Sequence, residues 1–196
     1  MNGPVLLRSY AAPAVDRAEI LRYARAARED GALTELLDEV LAEALPTLTY
    51  RAALRELPVL AEGDRITLGP IRASSHSLAG CLGEARRALI VAATVGTGID
   101  RLLLRYGRLS PTRALLLQAI GAERVEALLA ALTADLRKKY GRLTRRFSPG
   151  YGDLPLSLQG ELLPLLDPER LLGLTLCDSY LMSPSKSVTA IIGILD

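Results

Sequence analysis

The sequence predicts an α+β fold, a single domain with a mostly antiparallel, twisted sheet and flanking helices. Three observations predict it. Strand-length segments, alternating or continuously apolar, occur towards both ends of the chain, at 4–10, 47–57, 65–68, 87–96, 173–182 and 187–195. Segments of helical period lie between them, so strands from the two ends are expected to share one sheet. One of those helical segments, 112–140, is far longer than the others and ends just before a Pro-Gly turn.

Taken in order, residues 4–10 form a short first strand. Asp16-Arg17-Ala18-Glu19 has the form of a capping box, with Asp16 on the helix N-terminus and Glu19 reaching back. That helix is expected to run to about Arg28 and break near Gly31. In 34–45, Leu36, Leu37, Val40, Leu41 and Leu45 fall at helical spacing, and Pro46 ends the run. Leu48, Tyr50 and Leu54 alternate through 47–57, and Glu62-Gly63-Asp64 reads as a hairpin turn into 65–68. A short helix carrying His76 is expected over 74–82. The apolar run 87–96 has the length of a central strand, and 99–106 follows as a helix. The intervening Thr94-Val95-Gly96-Thr97-Gly98 lacks the Gly-Lys-Ser/Thr ending of a phosphate loop and the glycine spacing of a dinucleotide fingerprint.

Ser110 and Pro111 open the long helix as N-cap and first helical residue, Gly121 is its expected weak point, and Gly141 closes it. Val125, Leu128, Leu129, Leu132 and Leu136 form its core face, whereas Glu123 and Asp135 are free to face water. Glu126 lies at the edge of that stripe, as a solvated charge or a ligand contact. Ser157 is placed to cap a short helix over 158–166 that ends near Asp167-Pro168. Two strands, 173–182 and 187–195, then flank the polar connection Ser183-Pro184-Ser185-Lys186.

With 196 residues the chain can bury a sizeable core without disulfides or metals. Aromatics make up only 4%, with no Trp and one Phe, so Leu, Ala, Val and Ile must fill that core. A net charge of +2 is too small to point to nucleic acid. The most apolar runs are short or interrupted by charges, Gly and Pro, and the first residues lack a basic segment followed by a long apolar one. A cytoplasmic protein that partners neither membrane nor nucleic acid is expected. One histidine and two distant cysteines, Cys81 and Cys177, assemble no standard zinc or iron–sulfur set, and both thiols are expected to be buried.

Nucleophile-elbow, triad, Walker and zincin patterns are all absent, and Asp38 and Glu39 are neighbours on a helix that point apart. The sequence therefore suits a small-molecule binding protein better than a self-sufficient catalyst. The segment with most binding potential is Arg146-Phe147-Ser148-Pro149-Gly150-Tyr151. Pro149 sets φ for a turn, and Gly150 removes the Cβ that would keep a ligand off the main chain. Arg146 offers a planar fork suited to a carboxylate, and Tyr151 a ring face with a hydroxyl. An ordinary surface turn would use the same residues. Upstream, Arg137, Lys138, Lys139, Arg142, Arg145 and Arg146 are six cations in ten residues, either a solvated helix end or a docking surface for an acidic partner.

On these residues the chain resembles the activation (reactivation) domain of cobalamin-dependent methionine synthase. In that family an Arg-x-x-Pro-Gly-Tyr motif follows a long helix and binds S-adenosylmethionine, and here it reads Arg146 to Tyr151. The family helix carries an Ala-Glu-Ala-type segment whose glutamate contacts the ligand, and Val125-Glu126-Ala127 matches it in place. Near the C-terminus, Leu176-Cys177-Asp178-Ser179-Tyr180-Leu181-Met182 and Pro184-Ser185-Lys186-Ser187-Val188 resemble the family's Leu-Thr-Glu-Ser-Tyr/Phe-x-Met segment and the Pro-small-x-Ser-Val turn after it. The likeness divides the single domain 1–196 into a weakly matched part, 1–87, and a ligand-binding core, 88–196.

The resemblance implies an S-adenosylmethionine site built from Glu126, Arg146, Ser148, Gly150 and Tyr151, with Ser185, Lys186 and Ser187 as a secondary group. Arg146 would take the methionine carboxylate and Glu126 the cationic side. The Ser148 backbone and Gly150 would allow close approach, and Tyr151 would face the corrinoid. The family's motif continues with Cys, Pro and His, whereas Gly152-Asp153-Leu154-Pro155 stands here, so those residues transfer nothing. A corrinoid-binding Asp-x-His-x-x-Gly is absent, so cobalamin is expected only on a partner, a corrinoid-binding methionine synthase subunit. A flavodoxin or ferredoxin-like electron donor is the second implied partner, and the chain would be a stand-alone accessory subunit. Two other roles compete: a docking module without a ligand of its own, and an S-adenosylmethionine-dependent small-molecule methyltransferase.

Overall fold

The computed structural model describes residues 3–26 and 31–195. In chain order the elements are β1 (Leu6–Ser9), α1 (Arg17–Tyr23), α2 (Gly31–Ala44), β2 (Arg51–Glu62), β3 (Arg65–Leu68), β4 (Ile71–Ser74), α3 (His76–Leu82), β5 (Arg87–Thr94), α4 (Gly98–Tyr106), α5 (Pro111–Tyr140), β6 (Arg142–Leu143), α6 (Gln159–Leu162), α7 (Pro168–Leu172), β7 (Thr175–Leu176), β8 (Met182–Ser183) and β9 (Ser187–Leu195). This is the expected α+β architecture.

β5 explains the layering. Every residue from Ala88 to Thr94 is buried, because both faces of the strand are covered. Ala88, Ile90 and Ala92 point into a core closed by Leu78 and Leu82 of α3, by Phe147, and by Leu158, Leu162 and Leu166 around α6. Leu89, Val91 and Ala93 point the other way, onto Val125, Leu128, Leu129, Leu132 and Leu136 of α5. Burying each such branched side chain contributes about 1.5–3 kcal/mol. A third core joins α1, α2 and α4 to the first half of α5 through Ile20, Leu37, Val40, Ile99, Leu116 and Ile120.

Among the described residues the main sheet has seven strands in the path β4-β3-β2-β5-β9-β6, with β1 added to β2, and its ladders are antiparallel. The first and last strands thus share one sheet. β2 runs well past the predicted Leu57, because β5 and then β3 pair along its length. β5 pairs with it from Arg51 to Pro58, and β3 takes over from Val59. Pro58, with no N–H to donate, stands where the hand-over occurs. β4 was not expected; it follows the Gly69-Pro70 turn and extends the β2–β3 hairpin.

Other expectations need correction. α1 ends at Tyr23, and the predicted end near Arg28 lies outside the described residues. Only half of the capping box forms. Asp16 accepts from the Glu19 N–H at 3.0 Å, but the Glu19 carboxylate bonds Arg22, and the Asp16 N–H donates to Glu123 at 3.1 Å. Glu123 therefore does not face water. It is buried against Arg124, which is fully buried and also donates to Pro13 O and Ala14 O, each at 2.7 Å. α5 passes through Gly121 unbroken, and the missing Cβ there makes room for the Lys186 stem. Ser157 makes no cap bond, and 158–166 divides into short turns of two helix types between Pro155, Pro164 and Pro168. The expected strand over 173–182 is only the two-residue ladder of β7 with β8, interrupted by a turn in which Tyr180 takes φ of 61°. Cys81 is half-buried and Cys177 exposed, both free, so neither is the buried thiol expected. Among the described residues no helix is long and apolar enough to cross a membrane, and no cluster could hold a metal ion.

Candidate functional site

The chain leaving α5 is stitched to the last strand. β6 pairs with the end of β9, and Phe147 exchanges two backbone hydrogen bonds with Ile191, at 2.9 and 2.7 Å. Arg146 and Ser148 alternate with the buried Phe147, so they emerge beside β9 on the side away from the Phe147 core. The next residues fold back sharply. Tyr151 N–H donates to Ser148 O (3.2 Å), Gly150 N–H to Leu154 O (2.9 Å) and Leu154 N–H to Tyr151 O (3.0 Å). Gly150 takes φ of +89°, which a side chain would strain. Pro149 is buried, whereas Tyr151 is 68% exposed at the apex.

A cleft of about 800 Å³ opens between this turn, β9 and the edge of α5. Its wall includes Glu126, Arg146, Ser148 and Tyr151 of the primary set, and Ser185 and Ser187 of the secondary set. Arg146 Nη2 donates to Glu126 Oε2 at 2.9 Å, both side chains being partly exposed at the wall. Gly150 is off the wall and acts within the turn. Lys186 also points elsewhere: its Nζ donates to Gln118 Oε1 at 2.6 Å, its stem crosses Gly121, and burial lowers its pKa although Asp100 works the other way. Ser187 Oγ lies 2.8 Å from Thr94 Oγ1 and 2.7 Å from Pro184 O, which fixes the turn after the cis Ser183–Pro184 bond.

Sequence reasoning missed three wall or support residues. Gln159 and Thr189 are buried polar side chains on the cleft's inner surface. Thr189 Oγ1 donates to Gln159 Oε1 (2.7 Å), and Gln159 Nε2 donates to Tyr180 O (2.8 Å), joining β9, α6 and the β7–β8 turn. Only the alternation of β9 could have flagged Thr189. Asp153 stands just past the motif, in the stretch where the resemblance lapses. Its carboxylate accepts from Ser75 Oγ (2.5 Å), His76 N–H (2.7 Å) and Ser77 N–H (3.1 Å). The Ser75 hydroxyl, helped by those two N–H groups against some desolvation, holds its pKa well below the usual carboxylate range. Nothing local in the sequence announces partners so far upstream.

His76 lies outside the cleft, exposed, with Nδ1 3.0 Å from Asp64 Oδ1. Asp38 and Glu39 diverge as expected, to Arg17 and Arg113. The basic stretch is exposed at Arg137, Lys138, Lys139, Arg142 and Arg145, and Arg145 brings it to the cleft wall. Chemically the cleft offers a cation beside a carboxylate, hydroxyls and an exposed phenol ring. Among the described wall residues there is no histidine, cysteine or lysine to act as base or nucleophile.

No protein-family model matches the chain, and no curated protein matches it. Among solved structures the fold matches the MetH reactivation domain bound to AdoHcy with a TM-score of 0.68 and 16% sequence identity. The match covers 97% of this chain and 78% of that one, so the shared fold extends through the weakly matched residues 1–87.

Proposed function

We propose that the cleft binds S-adenosylmethionine and that the chain is a reactivation subunit for a separate corrinoid-dependent methionine synthase. The observation that carries this reading is the Arg146–Glu126 pair, set beside the Tyr151 turn on a fold whose solved counterpart is bound to AdoHcy. The group suits the residues present. A volume of about 800 Å³ lies within the usual range of ligand clefts. A cation and a carboxylate 2.9 Å apart can separate to meet the carboxylate and ammonium of an amino-acid moiety.

In this reading Arg146 holds the ligand's carboxylate and Glu126 its ammonium, each exchanging its present partner for a ligand group of the same charge. The turn at Gly150 presents the Ser148 backbone to the ligand, and Tyr151 faces the approaching corrinoid. S-adenosylmethionine would supply the methyl group and leave as S-adenosylhomocysteine, while one electron from a flavodoxin- or ferredoxin-like donor completes the return of the partner's cob(II)alamin to the methylated form. The chain contributes positioning, worth roughly 7–11 kcal/mol in the most favourable cases. The test is methyl transfer from isotope-labelled S-adenosylmethionine to an inactivated corrinoid protein, with reductant, in the presence and absence of the chain. Dependence on the chain supports the role; identical transfer without it refutes the role.

The exposed basic run from Arg137 to Arg145 favours a second reading, docking of an acidic electron donor or corrinoid protein without a bound ligand. Salt-sensitive complex formation that is indifferent to S-adenosylmethionine would select it over the first.

A further inference from the structure

We propose that Asp153 is the positioning residue of the cleft: its carboxylate latches the turn that carries Ser148, Pro149, Tyr151 and Gly152 onto the start of α3. The inference deepens the reading above and rests on it only where it concerns S-adenosylmethionine.

Leu154 packs the turn into the Phe147 core, but its hydrogen-bonded ties are few. Its internal bonds, Tyr151 to Ser148, Gly150 to Leu154 and Leu154 to Tyr151, close the loop on itself without fixing it to the body. On one side Phe147 anchors it to β9 through the exchange with Ile191. On the other, Asp153 supplies three hydrogen bonds to consecutive residues, Ser75, His76 and Ser77. The donors suit that place. Ser75 Oγ already caps α3 by accepting from Leu78 N–H at 3.0 Å, and Asp153 takes the hydroxyl proton and two N–H groups that the helix leaves unused. Ser77 belongs to the cleft wall as well, and an added Cβ at Gly152 would stand 2.7 Å from Ser77 Oγ. Asp153 and Gly152 together therefore let the turn close directly against α3, and the width of the cleft follows from that contact.

The contacts to Asp153 favour an anion. Two backbone N–H groups and a hydroxyl converge on it, and a carboxylate accepts from all three at once. The titratable groups beside this contact include His76 and Asp64, whose side chains lie 3.0 Å apart on the exposed side of α3. The depressed Asp153 pKa agrees with this geometry: the latch is set at neutral pH and releases only in acid.

Amide hydrogen exchange of the whole chain, followed residue by residue, tests the latch without any ligand. In Asp153→Ala and Asp153→Asn, the Gly150, Leu154, His76 and Ser77 amides should lose protection while Ile191 and the β5–β9 ladder keep theirs. Asp153→Glu should recover part of it. S-adenosylmethionine affinity should fall about ten-fold in the alanine variant, because the cost of ordering the turn is then charged to binding. Ser75→Ala, which removes one donor and leaves Asp153 in place, should lie between. Unchanged exchange at Gly150 and Leu154 in Asp153→Ala overturns the proposal, as does loss of protection spread equally over β5 and β9. If wild-type protein takes up no S-adenosylmethionine but the turn still loosens without Asp153, the latch stands and the ligand reading fails.

Discussion

Glu126 and Arg146 are bonded at 2.9 Å, although one is on a helix and the other beyond its end, twenty residues on. The pairing arises because α5 stops at Gly141 and β6 turns the chain back along β9, past the helix's own flank. Both side chains are partly exposed, Glu126 at 46% and Arg146 at 31%, so the pair contributes only about 0–1 kcal/mol to stability. Its position at the cleft wall is the more informative fact. Glu126→Gln should leave the unfolding midpoint almost unchanged and weaken S-adenosylmethionine binding by roughly ten-fold, about 1.4 kcal/mol. The loss is limited because the variant also frees Arg146 from a competing partner. Equal affinity in titrations of the two proteins would remove Glu126 from the site.

The Glu123–Arg124 pair, one turn away, behaves oppositely. Arg124 is fully buried and holds the segment before α1 through Pro13 and Ala14, while Glu123 holds Asp16. Removing one partner strands a buried charge, at about 3–5 kcal/mol. Arg124→Ala should therefore lower the denaturant midpoint far more than Arg146→Ala does. A loss under about 1 kcal/mol would mean that the network is hydrated.

Gly96 and Gly98, which superficially suggest a phosphate loop, have a packing explanation. A Cβ on Gly98 would fall 2.1 Å from Thr47 Oγ1 and 2.7 Å from the Thr47 carbonyl, and one on Gly96 would meet Thr49 Oγ1 at 2.7 Å. Gly98→Ala should cost about 1–3 kcal/mol by overpacking. Thr47→Ala in the same chain should restore only part of that, since the carbonyl stays. Thermal unfolding of the single and double variants checks both statements, and a Gly98→Ala protein as stable as wild type contradicts them.

The elements that the sequence made legible are those whose burial follows one period. β5 is apolar from Ala88 to Ala93 and β9 from Ala190 onward, and the core face of α5 from Val125 to Leu136 appears as read. Arg146, Ser148 and Tyr151, singled out by their chemistry and turn geometry, come together on the cleft wall. The sequence hides what depends on distant partners. Glu123 looks like a solvated helix acid until Arg124 and Asp16 are placed against it, and Asp153 looks like a departure until Ser75, His76 and Ser77 surround it. Lys186, expected in the secondary ligand group, is drawn the other way by Gln118 and the space over Gly121. The predicted strand over 173–182 fails because polar and small residues, Cys177 to Ser179, leave it no buried face.

Asp153 also gives the protein a defined acid response. Its folded pKa is depressed, so the stabilisation is full above the unfolded value of about 3.9 and is lost as pH falls through the folded one. The stability difference between wild type and Asp153→Asn should be constant above about pH 5 and shrink steadily below it. Urea midpoints across that range check the sign; a difference that grows on acidification would contradict it.

The central claim is that Arg146 and its cleft hold S-adenosylmethionine. Calorimetric titration of the wild-type chain and of Arg146→Ala tests it most directly. The account predicts saturable binding by wild type and a loss of about 1.5–3 kcal/mol in the variant, with the fold intact. Binding of equal strength in both proteins would contradict it.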